Sequence, residues 1–172
     1  MRFGDFLKAT VLLSAGAATL LAALAVIAMS REFDRVLVLV TAGWWVGAVL
    51  IGVWIGRRAE TSPPIARLLA GARTQTTLPE LRPGVTLVNR LWPLLLSMLG
   101  AAVLSAYQPL WASIGAGFAI IWALAWRRQE SAVVAIEERD AVRFYVDRTS
   151  PLQPIRLIRT PGFGGSFLQY DR

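Results

Sequence analysis

The chain has 172 residues, of which 55% are hydrophobic and only 17% charged, and it carries a formal net charge of +7. An average soluble domain is about one-quarter charged, so this composition excludes a disordered chain and a soluble nucleic-acid binder. With no Cys and no His, it also excludes disulfides, thiolate and imidazole catalysis and the usual zinc, haem or copper ligation; Lys8, the one lysine, is a poor nucleophile candidate.

The charges are segregated. After Arg2, Asp5 and Lys8 comes an uncharged run, Ala9 to Met29, which as a helix rises about 31 Å and matches a hydrocarbon core of about 30 Å. A cleaved signal is the rival reading, with a basic start and a small-residue site at Ala28-Met29-Ser30. Signal cores are usually only about 7–15 residues long, so a retained first span (9–29) is preferred. An outer loop (30–35) follows, and then a second uncharged run, 36–56, closed by Arg57-Arg58.

The second span holds the most informative pattern. Gly43 and Gly47 make one small-xxx-small face, and Ala48, Gly52 and Gly56 make another; at about 100° per residue the two lie on opposite sides of the helix. Trp54 projects with the first face and Trp45 with the second. Packing within one chain is the preferred reading, and a homo-oligomeric seam is the alternative. Trp44 and Trp45 sit deeper than an interfacial belt requires; packing is preferred over stacking on a ligand.

The loop from 57 to 90 opens with Thr61-Ser62-Pro63-Pro64 and then places Ile65, Leu68, Leu69 and Ala72 at helical spacing, with Arg67 and Arg73 at the flanks. A short surface helix starting at the prolines is expected. Pro79 and Pro83 then interrupt the chain, and Arg90 is placed to snorkel toward headgroups.

The uncharged stretch from Leu91 to Trp126 would be about 54 Å as one helix, too long for a bilayer. Tyr107-Gln108-Pro109 divides it into a third span (91–107), an outer turn (108–109) and a fourth span (110–126), with a re-entrant hairpin as the lesser reading. Gly100 and Gly117 are further small positions suited to helix packing, while Trp92, Trp126, Tyr107 and Trp111 suit aromatic belts.

In the tail, 127–172, Ala132 to Ile136 and Val142 to Val146 read as the arms of a β-hairpin, with a helix continuing from the fourth span as the competing reading. Glu137, Glu138 and Asp140 could bind magnesium, but a solvated turn is preferred because Arg139 interrupts them. Pro151-Leu152-Gln153-Pro154 satisfies the weak PxxP pattern and reads as extended chain. Interleaved basic and apolar residues here, and Arg57, Arg58, Arg90, Arg127 and Arg128 beside the spans, suit anionic lipid or a protein partner.

The expected fold is thus an all-α membrane protein of four transmembrane helices with a short tail. Basic residues crowd the N-terminus, the 57–90 loop and the tail, whereas the opposite loops hold only Arg31 and Arg35, balanced by Glu32 and Asp34. The positive-inside rule places both termini in the cytoplasm, in what we expect to be a bacterial plasma membrane. The spans contain no Asp, Glu, Lys or Arg, which argues against pumps, proton-coupled carriers and voltage sensors. Neither a catalytic residue, nor a metal ligand set, nor a cofactor site is expected. A non-enzymatic scaffold or accessory subunit is the leading reading, its partners being the lipid bilayer and other membrane proteins or a second copy, and not nucleic acid. A small channel or transporter subunit is the alternative. An enzyme ranks third, resting only on the carboxylates of Glu137, Glu138, Asp140 and Asp147, which nothing in the sequence orients.

Overall fold

A computed structural model describes residues 1–32, 34–57, 61–75, 83–147 and 153–161. Its elements in order are α1 (Phe3–Glu32), α2 (Arg35–Ile55), α3 (Pro63–Ala70), β1 (Arg73–Thr74), α4 (Pro83–Leu104), α5 (Pro109–Trp126), α6 (Gln129–Arg139), β2 (Val142–Val146) and β3 (Leu157–Pro161). Four of the helices are long and apolar enough to cross a membrane, as the uncharged runs predict.

The helix ends follow from local chemistry. The Asp34 carboxylate caps α2, accepting the amides of Val36 at 2.9 Å and Leu37 at 3.4 Å. These are two of the first-turn donors that a helix leaves unsatisfied. Prolines open α3, α4 and α5, where their missing N–H and fixed φ are tolerated. Because Pro83 nucleates α4, that helix begins well before the uncharged run, contains Arg90 and ends at Leu104; Ser105 to Tyr107 form turns. The 22 residues of α4 make it one of the four helices long and apolar enough to span.

The chain divides into two compact units. A helical unit comprises most of α1, α2, the part of α4 from Leu91 onward, and α5. Its centre is built from Leu21, Ala25 and Met29 of α1 with Ala112 and Ala116 of α5, flanked by Leu37, Trp45 and Met98. Three of the five central side chains are methyl-sized or close to it, a composition that lets helix backbones approach one another.

A mixed unit gathers the first residues of α1, α3, β1, the start of α4, α6, β2 and β3. Its sheet has the order β1-β3-β2, with β3 antiparallel to β2 and parallel to β1. Phe3, Leu7, Ile65, Val133, Phe144, Val146, Leu157 and Ile158 are buried. The N-terminus joins as an edge: Arg2 bridges Tyr145, and the Val146 amide donates to the Met1 carbonyl at 3.0 Å. The Ser62 amide donates to Gln129 Oε1 at 2.9 Å.

Two expectations are corrected. The chain is mostly helical but not all-α, because of the three-stranded sheet. The proposed hairpin arm Ala132 to Ile136 lies within α6. Strong helix formers at Gln129, Glu130, Glu137, Glu138 and Arg139 flank it, and Gln129 and Val133, four residues apart, are both buried. That helical period outweighs the β preference of Val133-Val134. The second arm does form a strand, β2, but its antiparallel partner is β3.

Candidate functional site

Helices α2 and α5 pack closely along a shared seam in the helical unit. A Cβ placed on Gly52 would lie 2.9 Å from Leu124 Cβ and 3.2 Å from Ile121 Cα, and one on Gly56 would collide with the Leu124 carbonyl. Ala48, on the same face, is fully buried. One turn toward the N-terminal end of α2, Trp44 packs against Gly117, where any side chain would strike the indole. Its Nε1 donates to the Ile114 carbonyl at 3.4 Å, and its ring meets Phe118 edge to face at 5.5 Å. Trp45 Nε1 donates to the Ser113 carbonyl at 3.0 Å.

Between these tryptophans and the Arg35 end of α2 lies a buried hydroxyl relay. Thr41 Oγ1 donates to Ser113 Oγ at 3.2 Å, and Ser113 Oγ donates to the Pro109 carbonyl at 3.3 Å. Interhelical hydrogen bonds of this kind in an apolar medium average about 0.6 kcal/mol and reach about 1.7. Thr19 and Ser97 instead donate to carbonyls of their own helices, and Ser105, just past α4, donates to the Ala102 carbonyl. Ser14 is buried with no partner among the described residues.

The other small residues singled out in the sequence fall elsewhere. Gly43 and Gly47 are on α2 away from α5, and neither they nor Gly100 on α4 would bring a Cβ within 4 Å of a neighbour. Trp54, predicted to share the Gly43 face, is 72% exposed. Sequence reasoning missed Gly115, where a Cβ would meet Ala101 Cβ at 2.9 Å and Leu21 Cδ1 at 3.0 Å. It also missed the buried α5 stripe Ala112, Ala116, Ala119 and Ala123, whose helical spacing is a readable signal. Beside this stripe an apolar cleft of about 440 Å³ opens among Leu21, Leu94, Met98, Leu104, Phe118 and Trp122.

Of the arginines expected beside the spans, Arg57, Arg127 and Arg128 are exposed, and Arg58 lies outside the described residues, as do Pro79 and Pro151. Arg90 is half-buried in the mixed unit and donates to the Gln153 carbonyl.

The acidic cluster of the tail is engaged internally. Glu137 Oε1 accepts the Phe144 amide at 2.8 Å, tying α6 to β2. Burial raises the Glu137 carboxyl above its usual range, against the lowering influence of that hydrogen bond and of Arg2; Asp5 reinforces the rise. Asp140 pairs with Arg139 at 2.8 Å, a hydrogen bond that lowers the carboxyl and raises the guanidinium. Among the described residues no three acidic side chains gather to hold a metal.

Comparison of the chain with protein-family models, with curated proteins and with solved structures gives no match.

Proposed function

We propose that this chain is an integral membrane protein with both termini on the cytoplasmic side of a bacterial plasma membrane. It works without catalysis, as a scaffold or accessory subunit that binds neighbours through its helices and its cytoplasmic tail. Four charge-free runs support the membrane reading. The N-terminus, the segment after α2 and the tail, which four crossings put on one side, fold together into a single unit. Their excess of arginine supports the cytoplasmic assignment.

The observation that carries the scaffold role is the asymmetry of α2. Its Ala48-Gly52-Gly56 face is filled by α5, while its Gly43-Gly47 face has open space where a second transmembrane helix could approach closely. The absence of Asp, Glu, Lys and Arg from the four uncharged runs supports a packing role over coupled transport.

Because the chain has no cysteine, single cysteines at Gly43 and Gly47 allow clean cross-linking in native membranes. The reading expects a discrete cross-linked product, either a second copy or another membrane protein, and its loss in a Gly43→Leu, Gly47→Leu variant probed from Ala42. Recovery of monomer alone from every position on this face would refute it. Solute flux in proteoliposomes would instead favour the channel reading.

A further inference from the structure

A cleft of about 310 Å³ in the mixed unit is formed where α3, β1 and the chain entering β3 meet. Leu68, Ile155 and Leu157 contribute its apolar wall, and Arg67, Arg73 and Arg156 line it as well. Arg67 and Arg73 are six residues apart, whereas Arg156 is more than 80 residues further along the chain. They are assembled by the parallel pairing of Arg73 with Ile158 and by the Gln75 amide donating to the Arg159 carbonyl at 3.0 Å.

No carboxylate lines the cleft, and none of the three arginines forms an ion pair among the described residues. Asp147 is a neighbour: its amide donates to the Arg156 carbonyl at 2.9 Å, and its carboxylate attracts Arg90. All three arginines are exposed; like charges lining one concavity repel one another, though solvent screens the repulsion, and an anion between them would reverse its sign. Guanidinium groups present planar forks of donors that match phosphate oxygens. The C-terminal end of α3 opposes an anion with about half a charge. That partial charge is small against three cations, and the Arg67 and Leu69 carbonyls already accept the Gly71 and Ala72 amides. The volume is near the lower limit for small-ligand pockets, about 300 Å³. It admits a phosphate with a short organic group laid against the leucine and isoleucine wall.

We propose that this cleft binds a phosphomonoester, carried either by a small soluble molecule or by a lipid headgroup. The site is independent of the scaffold reading, since it involves neither the Gly43 face nor any span.

The test uses the full chain in phosphatidylcholine nanodiscs, with radiolabelled inorganic phosphate measured by equilibrium dialysis at constant ionic strength. One saturable site per chain is expected. Arg67→Gln, Arg73→Gln and Arg156→Gln should each weaken it about tenfold or more, the effect of losing a charge-assisted hydrogen bond. Arg139→Gln, outside the cleft, should leave it unchanged, and Arg67→Lys should be intermediate. Circular dichroism melts of every variant identify any loss of binding that is merely loss of fold, in which case the Arg67→Lys comparison decides. With phosphatidic acid added to the nanodiscs, competition for the site identifies a lipid headgroup, and undiminished phosphate binding identifies a soluble ligand. Absence of saturable binding, or equal weakening by Arg139→Gln, overturns the proposal.

Discussion

Adding one methyl group to α2 should have opposite effects on its two glycine faces. At Gly52 the new Cβ would lie 2.9 Å from Leu124 Cβ and 3.2 Å from Ile121 Cα. Carbon pairs are most favourable at about 3.5–4.0 Å, so the helices must separate by roughly half an ångström or more. Backbone atoms at Ile121 cannot rotate aside, and overpacking of this kind costs about 1–3 kcal/mol. Alanine recovers up to about 1 kcal/mol through its higher helix propensity. Gly52→Ala should therefore destabilise the chain by about 1–2 kcal/mol, and Gly56→Ala, which collides with the Leu124 carbonyl, by more. Gly43→Ala and Gly47→Ala meet open space and should be neutral or stabilising by up to about 1 kcal/mol. Unfolding in mixed micelles by titration with dodecyl sulfate, followed by circular dichroism, measures all four. Equal effects at Gly43 and Gly52, or a stabilising Gly52→Ala, would refute the α2–α5 seam.

Ser113→Ala removes the acceptor of the Thr41 hydroxyl but leaves the Trp45 bond to the Ser113 carbonyl. The same titration should register a loss of about 0.5–1.5 kcal/mol, and almost none when Thr41→Val is already present. Ala141, between α6 and β2, holds a φ of 50°. Ala141→Gly should stabilise the mixed unit by up to about 1 kcal/mol, read as slower hydrogen exchange of the β2 and β3 amides. Glu137 supplies a pH dependence. Its carboxyl is raised above the ordinary 4.5 by burial, so the folded unit holds this proton more tightly than the unfolded chain. The associated stability is present below pH 4.5 and is lost as pH rises through the higher folded value. Glu137→Gln, which keeps an acceptor for the Phe144 amide, should increase exchange protection of β2 at neutral pH and lose that advantage in acid; an advantage confined to acid would reverse the assignment.

The features legible in the sequence are those whose cause is local. Charge-free runs disclose the four apolar helices because the cost of placing a charge in hydrocarbon acts on each residue separately. Pro63 and Pro109 mark helix starts through their own backbone preferences. Which glycine face meets a neighbour is different in kind. Gly43-Gly47 and Ala48-Gly52-Gly56 are equivalent as patterns, and only the position of α5 distinguishes them. The α6 error has the same origin: Val133-Val134 carry a β preference, but Val133 is buried in a unit that also draws on α3 and the start of α1, segments more than 60 residues away. The extreme case is β1. Two exposed residues, Arg73 and Thr74, have no alternating pattern to announce a strand, and a parallel partner more than 80 residues away leaves no turn signal. Yet that short pairing is what brings Arg73 and Arg156 to one cleft. Arginines that look like membrane-flanking charge in a linear count therefore acquire a second reading only once the register of β1 on β3 is known.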